Sequence, residues 1–370
     1  MARWFPRRPV VGHGASASAA PPVPSIDELL ERARVLVSDG RPIDAVRSLT
    51  EANRRQRDAR IEHALVGLRA EAFRDTAWSQ DRPPWPSEVD DLFPGELIPS
   101  ISADDLTEER LRSAIEHHGS LHVRAMIEHD DVDRLVANID RALAAYDAQL
   151  AGLSDGSLTA WYERFEGDRV SNRELKRKRG SIMTVESPPV MFDLMEVFDR
   201  RGITSIVNDY FGEQPTLLAR KCTLRRISHE GKNGGWHQDG AFMGAGIRSL
   251  NLWLALTDCG VDAPGLDVVG RRLDEIVQTG TGAFAAWATS PQAAEEVAAG
   301  AIVRPEFAAG DALIFDHMNL HRTAIGPAMH RDRYAIETWW LSPSTYEAMV
   351  SGEPGGDGEY TPRDQLPLVF

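Results

Sequence analysis

Apolar residues recur at helical spacing soon after the first two dozen positions of the chain. Ser25 and Glu28 form the capping-box pattern that begins a helix, and apolar residues follow every third or fourth position as far as Gly40. The same spacing continues through residues 45–49 and 61–73. The pattern therefore predicts three consecutive helices in this part of the chain.

The first two of these helices, around the stretch DGRPIDAVRSL, resemble one helical hairpin of the tetratricopeptide type. Stacked repeats need neighbours to bury their apolar faces, so a single hairpin cannot form a solenoid. We expect it to pack against its own chain, and docking of a protein partner is the alternative role.

Composition divides the chain into four predicted parts. Residues 1–24, rich in proline and arginine and free of acidic side chains, are predicted to be a disordered tail. Residues 25–77 form the helical hairpin segment, and residues 78–100 form a proline-rich linker, because proline disfavours both helix and central strand. Residues 101–370 are then the main domain.

The main domain begins with a helix predicted from Asp105 to about Glu116, the alternating stretch HGSLHVRAMI, and a long helix over residues 130–150. From about Pro215 onward, short runs rich in branched and aromatic residues follow: TLLARKCTLRRI, RSLNLWLAL, GDALIFD and RYAIETWWL. Such runs, separated by Gly, Pro and Asp, are typical of an antiparallel sandwich or barrel. We therefore predict an α+β fold with a β core and flanking helices.

Charge and cysteine content narrow the environment of the protein. A formal net charge of −15 disfavours nucleic acid as a partner, because phosphate backbones would repel it. No stretch approaches the roughly 20 apolar residues that a membrane span requires. Cys222 and Cys259 are too few for a disulfide scaffold and fit a reducing compartment. We expect a cytoplasmic protein without a nucleic-acid or membrane partner.

The stretch WHQDGAFM places His237 and Asp239 two positions apart among glycines and aromatic residues. On a strand such residues share a face, so an imidazole and a carboxylate would lie side by side. His321, after the β-like run GDALIFD, offers a third ligand. Two histidines and one carboxylate on one face of a metal are the ligands of non-haem Fe(II) oxygenases.

His317 is the competing histidine in the stretch HMNLH. On a helix, His317 and His321 would share one face as a zinc-type pair of ligands. The preceding run has the pattern of a strand, so we expect His317 at the rim of the site.

An iron centre of this kind needs a co-substrate that supplies electrons for O₂ activation. Arg333 begins the run RYAIETWW, and its guanidinium can hold a carboxylate through two parallel hydrogen bonds. Thr323, two residues after His321, could donate its hydroxyl to the same carboxylate. These residues fit 2-oxoglutarate, with Arg331 as an alternative to Arg333. Glu337 is expected to pair with an arginine inside the β core.

The motifs HQD, GD…FD…..H and R.AIE, together with LNLWLALTDC, resemble the phytanoyl-CoA dioxygenase family of Fe(II)/2-oxoglutarate-dependent oxygenases over roughly residues 100–345. The resemblance implies a double-stranded β-helix, or jelly-roll, with iron on His237, Asp239 and His321 and 2-oxoglutarate on Arg333. It also suggests auxiliary contacts to the co-substrate from Gln238, Thr323, Lys221 and Trp253.

The predicted activity is hydroxylation of a small molecule with Fe(II), 2-oxoglutarate and O₂, which gives succinate and CO₂ as co-products. Because Asp239 supplies a carboxylate as the third ligand, no position is left for a halide, and hydroxylation is favoured over halogenation. Two alternatives stay open. One is a non-catalytic protein that binds metal or ligand, or docks a partner, on the same fold; the other is an oxygenase that modifies a protein side chain.

A basic run, Lys-Arg-Lys-Arg at residues 176–179, interrupts this acidic chain. It has two interpretations: a solvated loop, or a lid that meets an anionic substrate. Arg271 and Arg272, in the stretch PGLDVVGRR, give the same weak indication. An anionic compound is therefore the candidate substrate, and its identity stays open.

Overall fold

The computed structural model describes residues 24–75, 83–86, 88–153, 156–165, 173–280, 287–346 and 367–369. The predicted tail therefore lies outside the described residues except for its last position. The predicted linker is described only in part. None of the helices in these ranges is long and apolar enough to cross a membrane.

Helices dominate the first half of the chain, and the first five confirm the elements predicted from apolar spacing. In chain order the helices are α1 (Ile26–Ser38), α2 (Pro42–Arg55), α3 (Ala59–Asp75), α4 (Glu108–His118), α5 (His129–Leu150), α6 (Gly156–Thr159), α7 (Arg173–Lys178), α8 (Pro188–Arg200), α9 (Ile203–Phe211), α10 (Gly240–Met243) and α11 (Pro291–Ala298). The capping box of α1 is formed, since Ser25 and Glu28 each accept from the other's backbone amide.

Strands dominate the second half. They are β1 (Ser100–Ser102), β2 (Ser120–Arg124), β3 (Ser181–Met183), β4 (Thr216–Leu218), β5 (Thr223–Ile227), β6 (Trp236–His237), β7 (Ser249–Ala255), β8 (Gly265–Val269), β9 (Ala288–Thr289), β10 (Ile302–Val303), β11 (Ala312–Phe315), β12 (His321–Ala324), β13 (Arg333–Leu341) and β14 (Pro367–Val369). One predicted run differs: TLLARKCTLRRI is two strands, β4 and β5, because the chain turns between them with the amides of Lys221 and Cys222 bonded to Leu218 O.

The strands form two facing sheets in the described part of the chain. The larger sheet has the order β1-β2-β11-β7-β13-β4-β14, with β5 paired to β13 and β3 paired to β5. The smaller sheet has the order β10-β8-β12-β6-β9. Apart from β1 and β2, which run parallel, these pairs are antiparallel. This is a jelly-roll core in open sheets, as the resemblance implied.

The alternation of side chains along β7 and β13 separates two layers of core. Leu252 of β7 and Ile336 of β13 lie on the helix-covered side of the larger sheet, in the same buried cluster as residues of α4, α5 and α8. Trp253 and Trp339 lie on the opposite side, in the cluster that also contains Leu266 of the smaller sheet. Odd-numbered positions of β13 therefore face the space between the sheets.

The N-terminal helices pack on their own chain. Arg57, which follows α2, pairs with Asp193 of α8 at 3.2 Å and donates to Pro189 O at 2.6 Å. Arg69 of α3 donates to Val369 O at the end of the chain. These bonds attach the three N-terminal helices to the outer face of the larger sheet through α8 and β14.

Candidate metal centre and active-site cavity

The three predicted ligands come together between the two sheets. His237 of β6 and His321 of β12 are direct cross-strand partners. Asp239 lies between β6 and α10, at the position that immediately precedes the first residue of α10. Their ligand atoms all lie within 4.8 Å of one another, and they are the group of His, Cys, Asp and Glu found close enough to share an ion in the described residues.

The reason for the proximity of His237 and Asp239 differs from the prediction. Strand alternation does not place them side by side, because β6 ends at His237 and Asp239 has helical backbone angles, φ −64° and ψ −24°. The tight turn into α10 turns the carboxylate back towards the imidazole. Gly240 permits this turn, since a Cβ there would lie 2.8 Å from Ile276 Cδ1 and 3.1 Å from His317 O.

Both histidines are oriented for metal binding through Nε2. His237 Nδ1 lies 2.9 Å from Gly235 O, and His321 Nδ1 lies 3.1 Å from Asn319 O. A carbonyl only accepts, so each Nδ1 carries the proton and each Nε2 keeps its lone pair. Burial lowers the pKa of His321 to about 4, which keeps the imidazole neutral at physiological pH.

Asp239 is the most buried of the three ligands and is held as a carboxylate. Burial alone would raise its pKa, but the charge of Lys221 and the neighbouring histidines lower the pKa below the usual value. Lys221 Nζ donates to Asp239 Oδ1 and lies 4.5 Å from the ring centre of Phe242. The turn between β4 and β5, missed at the level of sequence, places Lys221 there.

The donor set fits a divalent metal. Asp239 Oδ2 is buried and has no hydrogen-bond partner. It lies 4.0 Å from His321 Nε2, too far for a hydrogen bond and with room for an ion between the two atoms. A buried carboxylate oxygen is rarely left without a partner, so a ligand from outside the chain is expected at this position.

Arg333, at the start of β13, lies inside the core. It is 0% exposed, and its Nη1 donates to Gly265 O at 2.8 Å. Its Nε and Nη2 are buried without a hydrogen-bond partner, and its guanidinium lies 5.2 Å from the ring centre of Trp253. Burial lowers its pKa to about 10, so it stays charged at neutral pH. Two adjacent free donors are the arrangement that a carboxylate accepts.

The competing Arg331 lies elsewhere. It precedes β13, is exposed, and is 3.8 Å from Asp262 at the surface. Its position makes it a poor candidate for a buried carboxylate.

The auxiliary residues differ in what they can offer. Thr323 lines the cavity on the same strand as His321. Gln238 does not support the suggested co-substrate contact, because its amide already donates to Met318 O at 2.7 Å and accepts from Val277 N at 2.7 Å. It fixes the segment after β8 to the metal-ligand turn.

Two further residues have structural roles. Glu337 pairs with Arg225 inside the core, as expected, and accepts from Thr223 Oγ1 and Trp339 Nε1 at 3.0 Å each. His317 is not at the rim as predicted: it is 4% exposed, and its Nδ1 lies 3.0 Å from Ser249 Oγ. Its ring nitrogens are therefore engaged away from the three ligands.

A cavity of about 1100 Å³ opens onto two of the ligands, His237 and Asp239. Phe242 and Trp287 lie on its inner wall, and their rings are 6.0 Å apart between centres. Trp287, which the sequence analysis missed, also contacts the His237 ring edge-on with 5.7 Å between centres. An apolar wall beside a metal centre limits the access of water to the reacting atoms.

The basic run 176–179 lies at this cavity, partly within α7, and so is neither remote from the site nor simply a solvated loop. Arg271 and Arg272, the other residues taken to indicate an anionic substrate, do not line the cavity. Arg272 is held by the buried Asp316 at 2.6 Å. The sequence cannot show this difference, because Asp316 is 44 positions from Arg272.

Fold and site together are those of a non-haem iron, 2-oxoglutarate-dependent oxygenase. The family model described as phytanoyl-CoA dioxygenase (PhyH) matches residues 115–325, more than half of the chain. The chain therefore belongs to the phytanoyl-CoA dioxygenase family. No curated protein matches it in sequence.

The chain also resembles solved structures of low sequence identity, three of which follow. The non-heme alpha ketoglutarate dependent carbocyclase SnoK from nogalamycin biosynthesis is 14% identical, with 73% of this chain and 98% of that chain covered and a TM-score of 0.46. EctD from S. alaskensis, solved with 2-oxoglutarate and 5-hydroxyectoine, is 16% identical, with 68% and 82% covered and a TM-score of 0.48. EvdO2 from Micromonospora carbonacea var. aurantiaca, complexed with 2-oxoglutarate, is 15% identical, with 69% and 95% covered and a TM-score of 0.42.

Proposed function

We propose that this protein hydroxylates a small-molecule substrate, with Fe(II), 2-oxoglutarate and O₂ consumed in the manner of its family and succinate and CO₂ as co-products. The observation that carries the proposal is the meeting of His237, Asp239 and His321 within 4.8 Å, with His237 and Asp239 in the wall of a large cavity. Family membership alone would leave open whether the iron site is intact in this chain.

In this proposal the three side chains hold iron through His237 Nε2, His321 Nε2 and an oxygen of Asp239. The backbone carbonyls of Gly235 and Asn319 fix the imidazole rings, and Lys221 fixes the carboxylate. All three ligands come from one side, which leaves the remaining coordination positions for small molecules. Because Asp239 is present and aimed at the site, the chain offers no vacancy of the kind that a halide would occupy.

Arg333 is proposed to bind the distal carboxylate of 2-oxoglutarate through Nε and Nη2. These two donors are buried and without a partner, and leaving a charged donor unpaired costs about 1–3 kcal/mol or more. A carboxylate placed there would satisfy both donors in a fork geometry. Trp253 supports the guanidinium from its ring face, which restricts its orientation.

When bound, iron and 2-oxoglutarate supply the oxidising chemistry: O₂ takes up the two electrons of the oxidative decarboxylation, one oxygen atom ends in succinate, and the other enters a C–H bond of the substrate. The protein positions the reactants and excludes water from them. Phe242 and Trp287 line the cavity beside the ligands and keep water from the reacting atoms.

The size of the cavity supports a small molecule as the substrate. Pockets for drug-sized ligands typically have volumes of about 300–1,000 Å³, and this cavity of about 1100 Å³ is slightly larger than that range. Its residues converge on the iron ligands from several elements, so a compact compound could be enclosed with its target carbon near the metal.

The proposal is tested by anaerobic titration of the protein with Fe(II) and 2-oxoglutarate. A weak metal-to-ligand charge-transfer band in the visible spectrum is expected for the wild type. His237→Ala and His321→Ala should lose the band, because each removes one of three ligands. His330→Ala, which changes an exposed histidine, is the matched control and should keep it.

Turnover is tested separately by the formation of succinate and CO₂ under air. Absence of the band in the wild type, or an undiminished band in both ligand variants, would refute the assignment of the iron site. A normal band without any succinate would instead favour the alternative of a non-catalytic protein that binds metal or ligand.

A further inference from the structure

Lysine is rare in this chain and is confined to one place. Of the 41 lysines and arginines in the sequence only four are lysines: Lys176, Lys178, Lys221 and Lys232. The four lysines come from two separate stretches of the sequence, yet all of them line the same cavity. An arginine-rich chain that places its lysines around its active-site cavity points to a use for a compact, mobile positive charge there.

The acidic residues of the cavity wall are already paired with other groups. Asp147 accepts from Arg177 at 2.8 Å, and Asp239 accepts from Lys221. Asp332 accepts from His229 at 3.0 Å, and Asp140 accepts from the Tyr334 hydroxyl at 2.7 Å. Each carboxylate that faces the cavity therefore has a partner.

Three lysines of the cavity, Lys176, Lys178 and Lys232, make no side-chain hydrogen bond or ion pair within the described ranges. Lys178 and Lys232 are exposed to solvent, whereas Lys176 is not. It is half-buried on α7, and its ammonium group makes no hydrogen bond or ion pair with any residue in the described ranges.

Two other cations act on the charge of Lys176. They are Lys221, which is paired with Asp239, and Arg225, which is paired with Glu337. Burial, and then the charges of Lys221 and Arg225, lower the pKa of Lys176 to about 8, although the carboxylates of Glu337 and Glu186 offset part of this effect.

An anion would remove this imbalance. A half-buried ammonium with cationic neighbours is destabilised by lost hydration and by repulsion, and a bound carboxylate or phosphate oxygen relieves both. The distal carboxylate of 2-oxoglutarate is assigned to the buried donors of Arg333 under the proposed function, so another anion is expected at Lys176.

Building on the proposed function, we propose that the substrate carries an anionic group, a carboxylate or a phosphate, that binds to Lys176 on the α7 side of the cavity. The anion would orient the substrate so that the carbon to be oxidised faces His237, Asp239 and His321. Lys176 is then a residue that determines specificity, and the basic run serves recognition through one particular side chain.

The experiment measures the binding of model anions to the full chain by calorimetry at low ionic strength. The probes are benzoate and phenyl phosphate, with neutral benzamide for comparison. They are titrated into protein saturated with 2-oxoglutarate and Fe(II) without O₂, and again into metal-free protein, so that no turnover is needed. Saturating 2-oxoglutarate blocks the co-substrate site.

Lys176→Gln should weaken binding of the preferred anion by about tenfold or more, the usual effect of losing a charge-assisted hydrogen bond. Arg34→Gln removes a positive charge from an exposed position on α1 that does not line the cavity, and should change binding less than about threefold. Benzamide should bind weakly to every variant. The relative affinities of benzoate and phenyl phosphate identify the type of anion.

Several results would overturn the proposal: no anion binding to the wild type, unchanged binding in Lys176→Gln, or equal losses in Lys176→Gln and Arg34→Gln. Anion binding abolished by Arg333→Ala and retained in Lys176→Gln would assign the anions to the co-substrate site. Lys176→Met provides a second neutral variant should the glutamine variant fail to fold. The iron and 2-oxoglutarate band reports the proposed function independently, because the calorimetry also runs on metal-free protein.

Discussion

Arg331 and Arg333 show how much environment decides the role of a residue. The two side chains are chemically identical and two positions apart, yet one pairs with a surface aspartate and the other is 0% exposed with two unused donors. The two arginines differ because β13 begins at Arg333. Arg333 therefore belongs to the strand whose odd-numbered side chains face the core, whereas Arg331 precedes the strand.

At this scale we predict that Arg333→Ala weakens 2-oxoglutarate binding by about 2–3 kcal/mol, roughly thirty- to a hundredfold in Kd. Iron binding should persist, because the three metal ligands are unchanged. The charge-transfer band titrated against 2-oxoglutarate measures both effects. Arg331→Ala is the control and should bind as the wild type does; the reverse order of the two variants would transfer the role to Arg331.

Secondary-structure elements from the two ends of the chain meet on the outer face of the larger sheet. Strand β14 pairs with β4, with Leu368 opposite Leu217, and α3 covers it. Leu368 is 0% exposed, although its strand is only three residues long. The last strand therefore anchors the N-terminal helices to the jelly roll.

At the element scale we predict that Leu368→Ala lowers the free energy of unfolding by about 2–5 kcal/mol, because it leaves a cavity between α3 and the sheet. Urea unfolding followed by circular dichroism provides the measurement. Leu150→Ala makes the same chemical change at a side chain that is 66% exposed, and should cost less than about 0.5 kcal/mol. Similar losses in both variants would contradict the anchoring role of β14.

For the molecule as a whole, one buried carboxylate links strand pairing to the stability of the fold in acid. Asp311 precedes β11 and accepts hydrogen bonds from His122 Nε2 at 3.1 Å, Ala125 N at 2.9 Å and Ala308 N at 2.9 Å. Burial would raise its pKa, but the His122 and backbone hydrogen bonds lower the pKa below 3.8, its value without these partners.

We therefore predict that Asp311→Asn destabilises the protein by about 1–3 kcal/mol near neutral pH. Because the folded-state pKa of Asp311 is lowered, its contribution is present above the unfolded-state value near 3.8 and is lost as pH falls through the folded-state value. The difference in unfolding free energy between wild type and variant should thus shrink in acid. Urea titrations at several pH values measure it.

The exposed Asp104→Asn serves as control, and its effect should be small at every pH. A difference for Asp311→Asn that grew in acid would contradict the sign of this linkage.

Much of the local structure was predictable from the sequence. The capping box at Ser25, the apolar spacing of the first five helices, and the alternating runs that became β2, β7, β11 and β13 all depend on neighbours within a few positions. The identity of the metal ligands was also available, because few residue types bind iron and the motif limits their positions. The pairing of Glu337 with an arginine was predictable too, because a carboxylate buried inside a β core needs a partner of opposite charge.

The tertiary structure alone decided relations between residues that are distant in sequence. It showed that Asp239 meets His237 through a turn, that Gln238 is occupied by backbone groups and that His317 is buried rather than at the rim. It separated Arg272, held by Asp316, from Lys176 at the cavity. The physical reason is that burial, pairing and the direction of a side chain depend on the whole fold, while residue type and spacing specify only what each side chain could do.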